Sequence, residues 1–250
     1  MAAYRVPHPR NQKTSRHQTR LARWIGVGLL WAIVITLGVV ADRVIPPQHL
    51  PWKTLKVIDP VGLATKLKAA RAGEDIAACK DILTQGGVTF VAAPEQASGD
   101  FCRVHDALEL TSGLAPLKPA KPVLSCKEAL AVTIWERKVV QTAAFDTLGQ
   151  GVVAIDHYGS YACRRIYGQA EGPVSEHATA NALDVAGFRL ADGTQISVEK
   201  DWNDPGPKGA FLHRVRDGAC QVFITVLSPD YNAEHANHLH LDMGGWAKCA

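Results

Sequence analysis

Hydrophobic and polar positions divide the chain into stretches of different period. From Trp24 to Ala41 they do not alternate at all: "WIGVGLLWAIVITLGVVA" is an unbroken apolar run. As a helix rising about 1.5 Å per residue, it matches the hydrocarbon thickness of a bilayer. Between Gly62 and Gly86 good helix formers predominate, with Gly73 as a break and Gly86-Gly87 as a stop, so two short helices are expected. "VTFVAA" follows as a strand. "PLKPAKP" (116–122) reads as a rigid connector in front of a longer helix. That helix opens with Ser125 and Glu128 as a capping box and carries Leu130, Ile134, Trp135, Val139 and Val140 at roughly helical spacing.

Beyond Gly149 the period shifts toward two. "GVVAIDHYGSYAC" and "NALDVAGFRL" read as strands, and "ADGT" turns the second into "QISVEKDW" as a hairpin. "GAFLHRVRDGACQVF" is a helical candidate, and "HLHLDMGGW" alternates as a final strand with His238 and His240 on one face. The fold class expected is α+β, with N-terminal helices packed on a small, mainly antiparallel sheet whose end carries the chemistry. No internal repeat interrupts this order.

Charge adds topology. Arg5, Arg10, Lys13, Arg16, Arg20 and Arg23 all precede the first acidic residue, Asp42. The whole chain carries a formal +3 and everything after residue 23 a formal −3, which argues against a basic nucleic-acid binder. Basic residues before the apolar run and an acidic one after it predict a cytoplasmic N-terminus and an exported body. The divisions expected are a basic tail over 1–23, a transmembrane signal-anchor over 24–41, a proline-containing linker over 42–56 and a folded domain over 57–250. A cleaved signal peptide is the alternative, although its apolar region is usually shorter, about 7–15 residues.

Export gives the six cysteines a meaning. Cys79, Cys102, Cys126, Cys163, Cys220 and Cys249 contain no C-x-x-C pair, and in an oxidising compartment they read as disulfides. Position along the chain suggests Cys79 with Cys102 and Cys163 with Cys220.

The candidate chemistry lies in two segments. "SEHATANALD" (175–184) offers His177 and Asp184, and "AEHANHLHLD" (233–242) offers His235, His238 and His240. One imidazole and one carboxylate from the first with one imidazole from the second make a three-ligand set. Such a set leaves a tetrahedral position open, as in catalytic zinc sites that activate water for amide hydrolysis. A remaining histidine, His235 or His238, would take the proton. His105, His157 and His213 are isolated and read as surface or core-edge residues.

"SEHATANALD" resembles the S-x-H-x-x-G-x-A-x-D signature of zinc peptidases that cleave bacterial cell-wall peptides, the D-Ala-D-Ala carboxypeptidases and murein endopeptidases. "HLH" resembles their second motif, and "HANHLH" resembles the murein endopeptidase branch, in which histidine replaces glutamate as base. More broadly, "GLATKLKAAR", "IDHYGSYACRRIYG", "SEHATANALDVAGFRLADG", "VRDGAC" and "DYNAEHANHLHLDMG" are similar to the bacterial extensin-like C-terminal domain family. The resemblance implies a LAS/hedgehog-like fold with one Zn²⁺ on His177, Asp184 and His240. It places His235 as general base and His238 as a residue that hydrogen-bonds either to the metal's ligands or to the transition state. Arg164 would hold a substrate carboxylate or the oxyanion, with Arg165 the lesser choice, and Ser175 would position substrate. Two departures stand out: Ala180 where the signature has glycine, and His235 where glutamate is commoner. The function expected is a membrane-anchored periplasmic zinc peptidase acting on peptidoglycan stem peptides or cross-links. Its alternative is a non-catalytic wall-binding or scaffold domain that keeps a structural metal.

Overall fold

The computed structural model describes residues 12–99 and 101–250, so Arg5 and Arg10 of the basic tail lie outside the described residues. Contacts divide the chain into two units, 1–46 and 47–250. The first holds α1 (Gln12–Val44), whose segment Arg20–Val44 is long and apolar enough to cross a membrane. It suits a single-pass anchor or a signal sequence equally in length and composition.

The second unit begins with α2 (Thr65–Gly73) and α3 (Ile76–Gln85), the two short helices expected. Asp75 caps α3 by accepting from the Ala77 and Ala78 amides. Six short strands then precede the long helix: β1 (Thr89–Ala92), β2 (Gln96–Ser98), β3 (Cys102–Val104), β4 (Leu108–Ser112), β5 (Leu117–Lys118) and β6 (Val123–Leu124). Only β1 was legible in the hydrophobic pattern, because strands of two to five residues bury too few side chains to set a period. The first half is therefore mixed rather than helical, with an antiparallel β1-β4-β6 sheet and a β2-β3 hairpin. The rigid connector is itself partly strand, since β5 pairs in parallel with a later strand.

The long helix is continuous from Cys126 to Leu148. It runs as α4 (Cys126–Trp135), a π-helical turn (Glu136–Val140) and α5 (Gln141–Leu148), and Gly149 ends it with φ +72°. Ser125 caps α4 by accepting from the Glu128 amide at 3.3 Å. The Glu128 carboxylate does not complete the box; it is fully buried, and neither oxygen has a partner among the described residues.

The principal sheet has the order β12-β10-β11-β8-β7-β5, with β9 on the side of β8. Its strands are β7 (Val152–Gly159), β8 (Ala182–Leu190), β9 (Gln195–Ser197), β10 (Thr225–Leu227), β11 (Leu239–Asp242) and β12 (Lys248–Cys249). All pairs are antiparallel except β5-β7 and β10-β12. The hairpin expected at "ADGT" is β8-β9, but "VEKD" leaves it as the short helix α6 (Val198–Asp201). The helix α7 (Pro207–Ala219) starts with proline in its first turn, where the missing amide costs nothing. Strand β11 is not the last, since the chain returns to form β12.

Trp135 joins the helices to the sheet. Its ring packs on Phe188 and Phe223, each at 6.1 Å, and its indole N–H donates to the Val215 carbonyl of α7. The disulfides are Cys79–Cys126, Cys102–Cys163 and Cys220–Cys249, which corrects both expected pairings, Cys79–Cys102 and Cys163–Cys220. The reason is topological. Packing of α3 on α4 brings Cys79 to the start of α4, the β2-β3 hairpin lies beside the loop after β7, and parallel β10-β12 pairing returns Cys249 to the end of α7.

Candidate metal centre

Strand alternation on the β8-β11 pair builds the centre. Leu183, Val185, Leu239 and Leu241 point into the core and are fully buried, so Asp184 and His240 point to the other face, directly opposite each other in register. His177 reaches them from a 3₁₀ turn (Glu176–Thr179) just before β8. Ser175 caps that turn by accepting from the His177 amide, which places its hydroxyl under the turn. Ala180 then adopts φ +56°, ψ +29°, a left-handed conformation costing an L-residue about 1–2 kcal/mol. The backbone at this position thus has the geometry that glycine takes easily, and alanine preserves it under strain. A hydrogen-bonded frame holds the turn: the Ser125 amide donates to the Ala180 carbonyl, the Ser125 hydroxyl to Asn181 Oδ1, and Asn181 Nδ2 to Glu176 Oε2.

One donor atom each from His177, Asp184 and His240 lies within 4.8 Å of the others, a group able to hold a metal ion. His177 Nε2 is 3.1 Å from Asp184 Oδ2 and 3.3 Å from His240 Nδ1, while His240 Nδ1 is 2.9 Å from Asp184 Oδ1. The other nitrogens are occupied. His177 Nδ1 faces the Ser160 carbonyl at 3.1 Å, and His240 Nε2 faces Asp242 Oδ2 at 3.0 Å. Metal-binding histidines commonly have such partners, which fix the ring and its tautomer. Asp242 is itself held by the Gly244 amide.

Burial works to lower the pKa of His240, but hydrogen bonds to Asp184 and Asp242 outweigh it and raise it to about 9. Burial works the opposite way on Asp184, yet the hydrogen bonds from His177 and His240 hold its carboxylate well below the usual range. In the metal-free protein a proton on His240 Nδ1 therefore occupies the direction a cation would take.

Two more imidazoles face the group. His235 sits on a 3₁₀ turn (Ala233–His235), its ring 5.9 Å from that of His240 and 5.2 Å from that of His238. Its Nδ1 is 2.6 Å from Asn232 Oδ1, and Asn232 Nδ2 donates in turn to the Tyr167 hydroxyl. His238 lies one residue before β11, with Nε2 3.5 Å from Asp184 and Nδ1 2.8 Å from Asn237 Oδ1. Burial first, and then the neighbouring His238 and His240, lowers the His235 pKa to about 4; burial also lowers His238. The positive charge of Arg164 adds to both shifts, which sets its exposed guanidinium within electrostatic reach of the pair.

Arg165 faces elsewhere. Its guanidinium lies over the Phe101 ring at 4.6 Å and donates to the Gly172 carbonyl. Glu234 is exposed. Of the isolated histidines, His157 is buried with Nε2 on the Pro119 carbonyl, His213 stacks on Trp202, and His105 is exposed near Glu95. Asp242, Asn232, Asn237 and Ser160 lie within the quoted segments, but the sequence assigns none of them a role. Asp242 had a signal, because it continues the period-two face of His238 and His240.

The family model described as extensin-like protein C-terminus matches residues 77–250, a span that includes every residue of this centre. No curated protein and no solved structure matches the chain.

Proposed function

The chain belongs to the extensin-like protein C-terminus family, and from that premise we propose that it is a zinc-dependent peptidase of the bacterial envelope. Its substrate would be the stem peptides or cross-links of peptidoglycan. The observation that carries this reading is the convergence of His177, Asp184 and His240 on one point, with His235, His238 and Arg164 around it. The likeness of both motifs to the cell-wall zinc peptidases agrees with it, and with a LAS-like arrangement of the sheet.

The donor set suits zinc: two imidazoles with their second nitrogens engaged and one carboxylate make three ligands of borderline softness. A zinc ion held there would supply an activated water and polarise a peptide carbonyl. His235 is the general base. Its Nδ1–H donates to Asn232, which leaves the Nε2 lone pair free, and its low pKa keeps that lone pair available at neutral pH. The proton it takes is weakly held and passes readily to the leaving amine. Arg164 is the better oxyanion donor, because a guanidinium stays charged, whereas the Nδ1–H of His238 is directed to Asn237. Arg165, engaged with Phe101 and Gly172, takes no part. Ser175 acts by placing His177. The apolar helix α1 anchors the enzyme in the inner membrane, N-terminus inside, with the second unit in the periplasm.

The test is digestion of purified sacculi by the full chain in detergent, with disulfides formed, in the presence of Zn²⁺ or of a chelator. Mass spectrometry of released muropeptides should show chelator-sensitive products that His235→Ala reduces by at least about 100-fold, the range of a lost general base. His235→Ala should keep its metal. Absence of products from a protein that holds one metal ion and binds sacculi would sink the hydrolase in favour of a non-catalytic wall-binding domain.

A further inference from the structure

The centre lies beneath a row of rings. Trp246 packs on Tyr231 with centroids 6.4 Å apart, Tyr231 on His235 at 5.6 Å, His235 on His238 at 5.2 Å, and His238 on Tyr158 at 6.0 Å. The two ends of the row are open to solvent, Trp246 being 57% and Tyr158 59% exposed. Sheet order separates them. The Trp246 carbonyl is bound by Thr225 of β10, and Tyr158 belongs to β7, while His240 and Asp184 lie on β11 and β8 between those strands. Three strand spacings make about 14 Å, roughly the reach of four extended residues. The middle rings are buried or half-buried, so the row offers solvent one large aromatic side chain at each end. Arg164 is an exposed positive charge within electrostatic reach of His235 and His238, and Lys248 Nζ lies 5.8 Å from the centroid of the Tyr231 ring.

We propose that Tyr158 and Trp246 are substrate-contacting walls, one on each side of the His177–Asp184–His240 centre, that hold an extended peptide running across the strands. The bond presented to the centre is then an internal one, as in a cross-link, rather than a terminal one. Flat aromatic faces suit the amide planes and small methyl side chains of such a peptide, and the cations suit its carboxylates. Tyr231 is a positioning residue, since its edge supports both His235 and Trp246. The inference rests on the peptidase reading for the identity of the ligand, but its test does not need turnover.

The experiment is calorimetric titration of the metal-free full chain in detergent, disulfides intact. Three probes are used: a sugar-free cross-linked peptide dimer from peptidoglycan, the uncross-linked stem peptide, and peptide-free glycan strands. The dimer should bind most tightly, and Trp246→Ala and Tyr158→Ala should each weaken it about 3–10-fold, with zinc affinity unchanged. Four outcomes would overturn the proposal: no binding of the dimer, equal binding of the stem peptide, variants that bind like the parent, or glycan strands that bind as well as the dimer. Weakened dimer binding in the variants, from a parent that cleaves no sacculi, would leave these walls standing and remove the peptidase.

Discussion

His240 lies between two carboxylates, and its behaviour follows from that position. Asp242 holds Nε2, turning Nδ1 toward Asp184 and His177. Asp242→Asn keeps the shape but removes the charge that makes His240 a strong donor. Zinc affinity should fall about 10–100-fold, with the fold unchanged, in competition with a chromophoric chelator. Unchanged affinity would mean that His240 is not a ligand through Nδ1. The same pair sets a pH dependence. The pKa of His240 is raised to about 9 in the folded metal-free protein, against about 6.5 unfolded, so its contribution to stability is complete below pH 6.5 and is lost as pH rises toward 9. Glu128, raised well above its usual value by burial and by Asp242 and Glu176, acts in the same direction. Thermal midpoints of the metal-free protein should therefore fall between pH 6.5 and 9. The zinc-loaded protein should resist this fall, because ligation replaces the His240 proton and strengthens as that proton leaves. Parallel curves with and without zinc would count against the site.

At the level of elements, α4 carries an internal conflict. Its hydrophobic run buries Ala129 to Trp135, yet the first turn takes Glu128 with it, fully buried and without a hydrogen-bond partner among the described residues. Leaving such a group without partners costs about 1–3 kcal/mol. Glu128→Met, similar in length and apolar, should raise stability by about that amount, and by more at pH 9 than at pH 5, in denaturant titrations. A loss of stability instead would place a polar partner for this carboxylate in the folded protein. The capping signal at Ser125 was read correctly from the sequence while the burial of Glu128 was not, because a local motif records which amide is capped and not what packs beside it. The same limit applies elsewhere. Helices α2 and α3 were legible from helix formers bounded by glycines, β11 from its alternation, and His177, Asp184 and His240 as motif positions. Strands β2 to β6 were not, since their pairing comes from contacts distant in sequence. Nor were the partners Ser160 and Asn232, which act through one carbonyl and one side-chain amide with no spacing of their own.

For the molecule as a whole, cysteine pairing makes the fold depend on an oxidising environment. The three disulfides lie within the unit 47–250 and close separations of 47, 61 and 29 residues. Each should stabilise by about 2–4 kcal/mol in the chain-entropy account, so together they rival the roughly 5–15 kcal/mol net stability of an ordinary domain. Sequence position misassigned them because α3 folds onto α4 and the β2-β3 hairpin meets the loop after β7, which joins cysteines that are not neighbours along the chain. Cys220 and Cys249, by contrast, are consecutive cysteines and pair where β12 returns to β10. The unit also contains its own core and the whole candidate centre. A chain shortened to residues 47–250 and made in an oxidising compartment should therefore fold, bind one zinc ion and unfold in a single transition. Reductant should abolish that transition, as followed by circular dichroism, and should release the zinc with it. If the reduced fragment instead melted within a few degrees of the oxidised one, the core alone would suffice. The cysteines would then say nothing about export, and the apolar helix would be left to carry that argument.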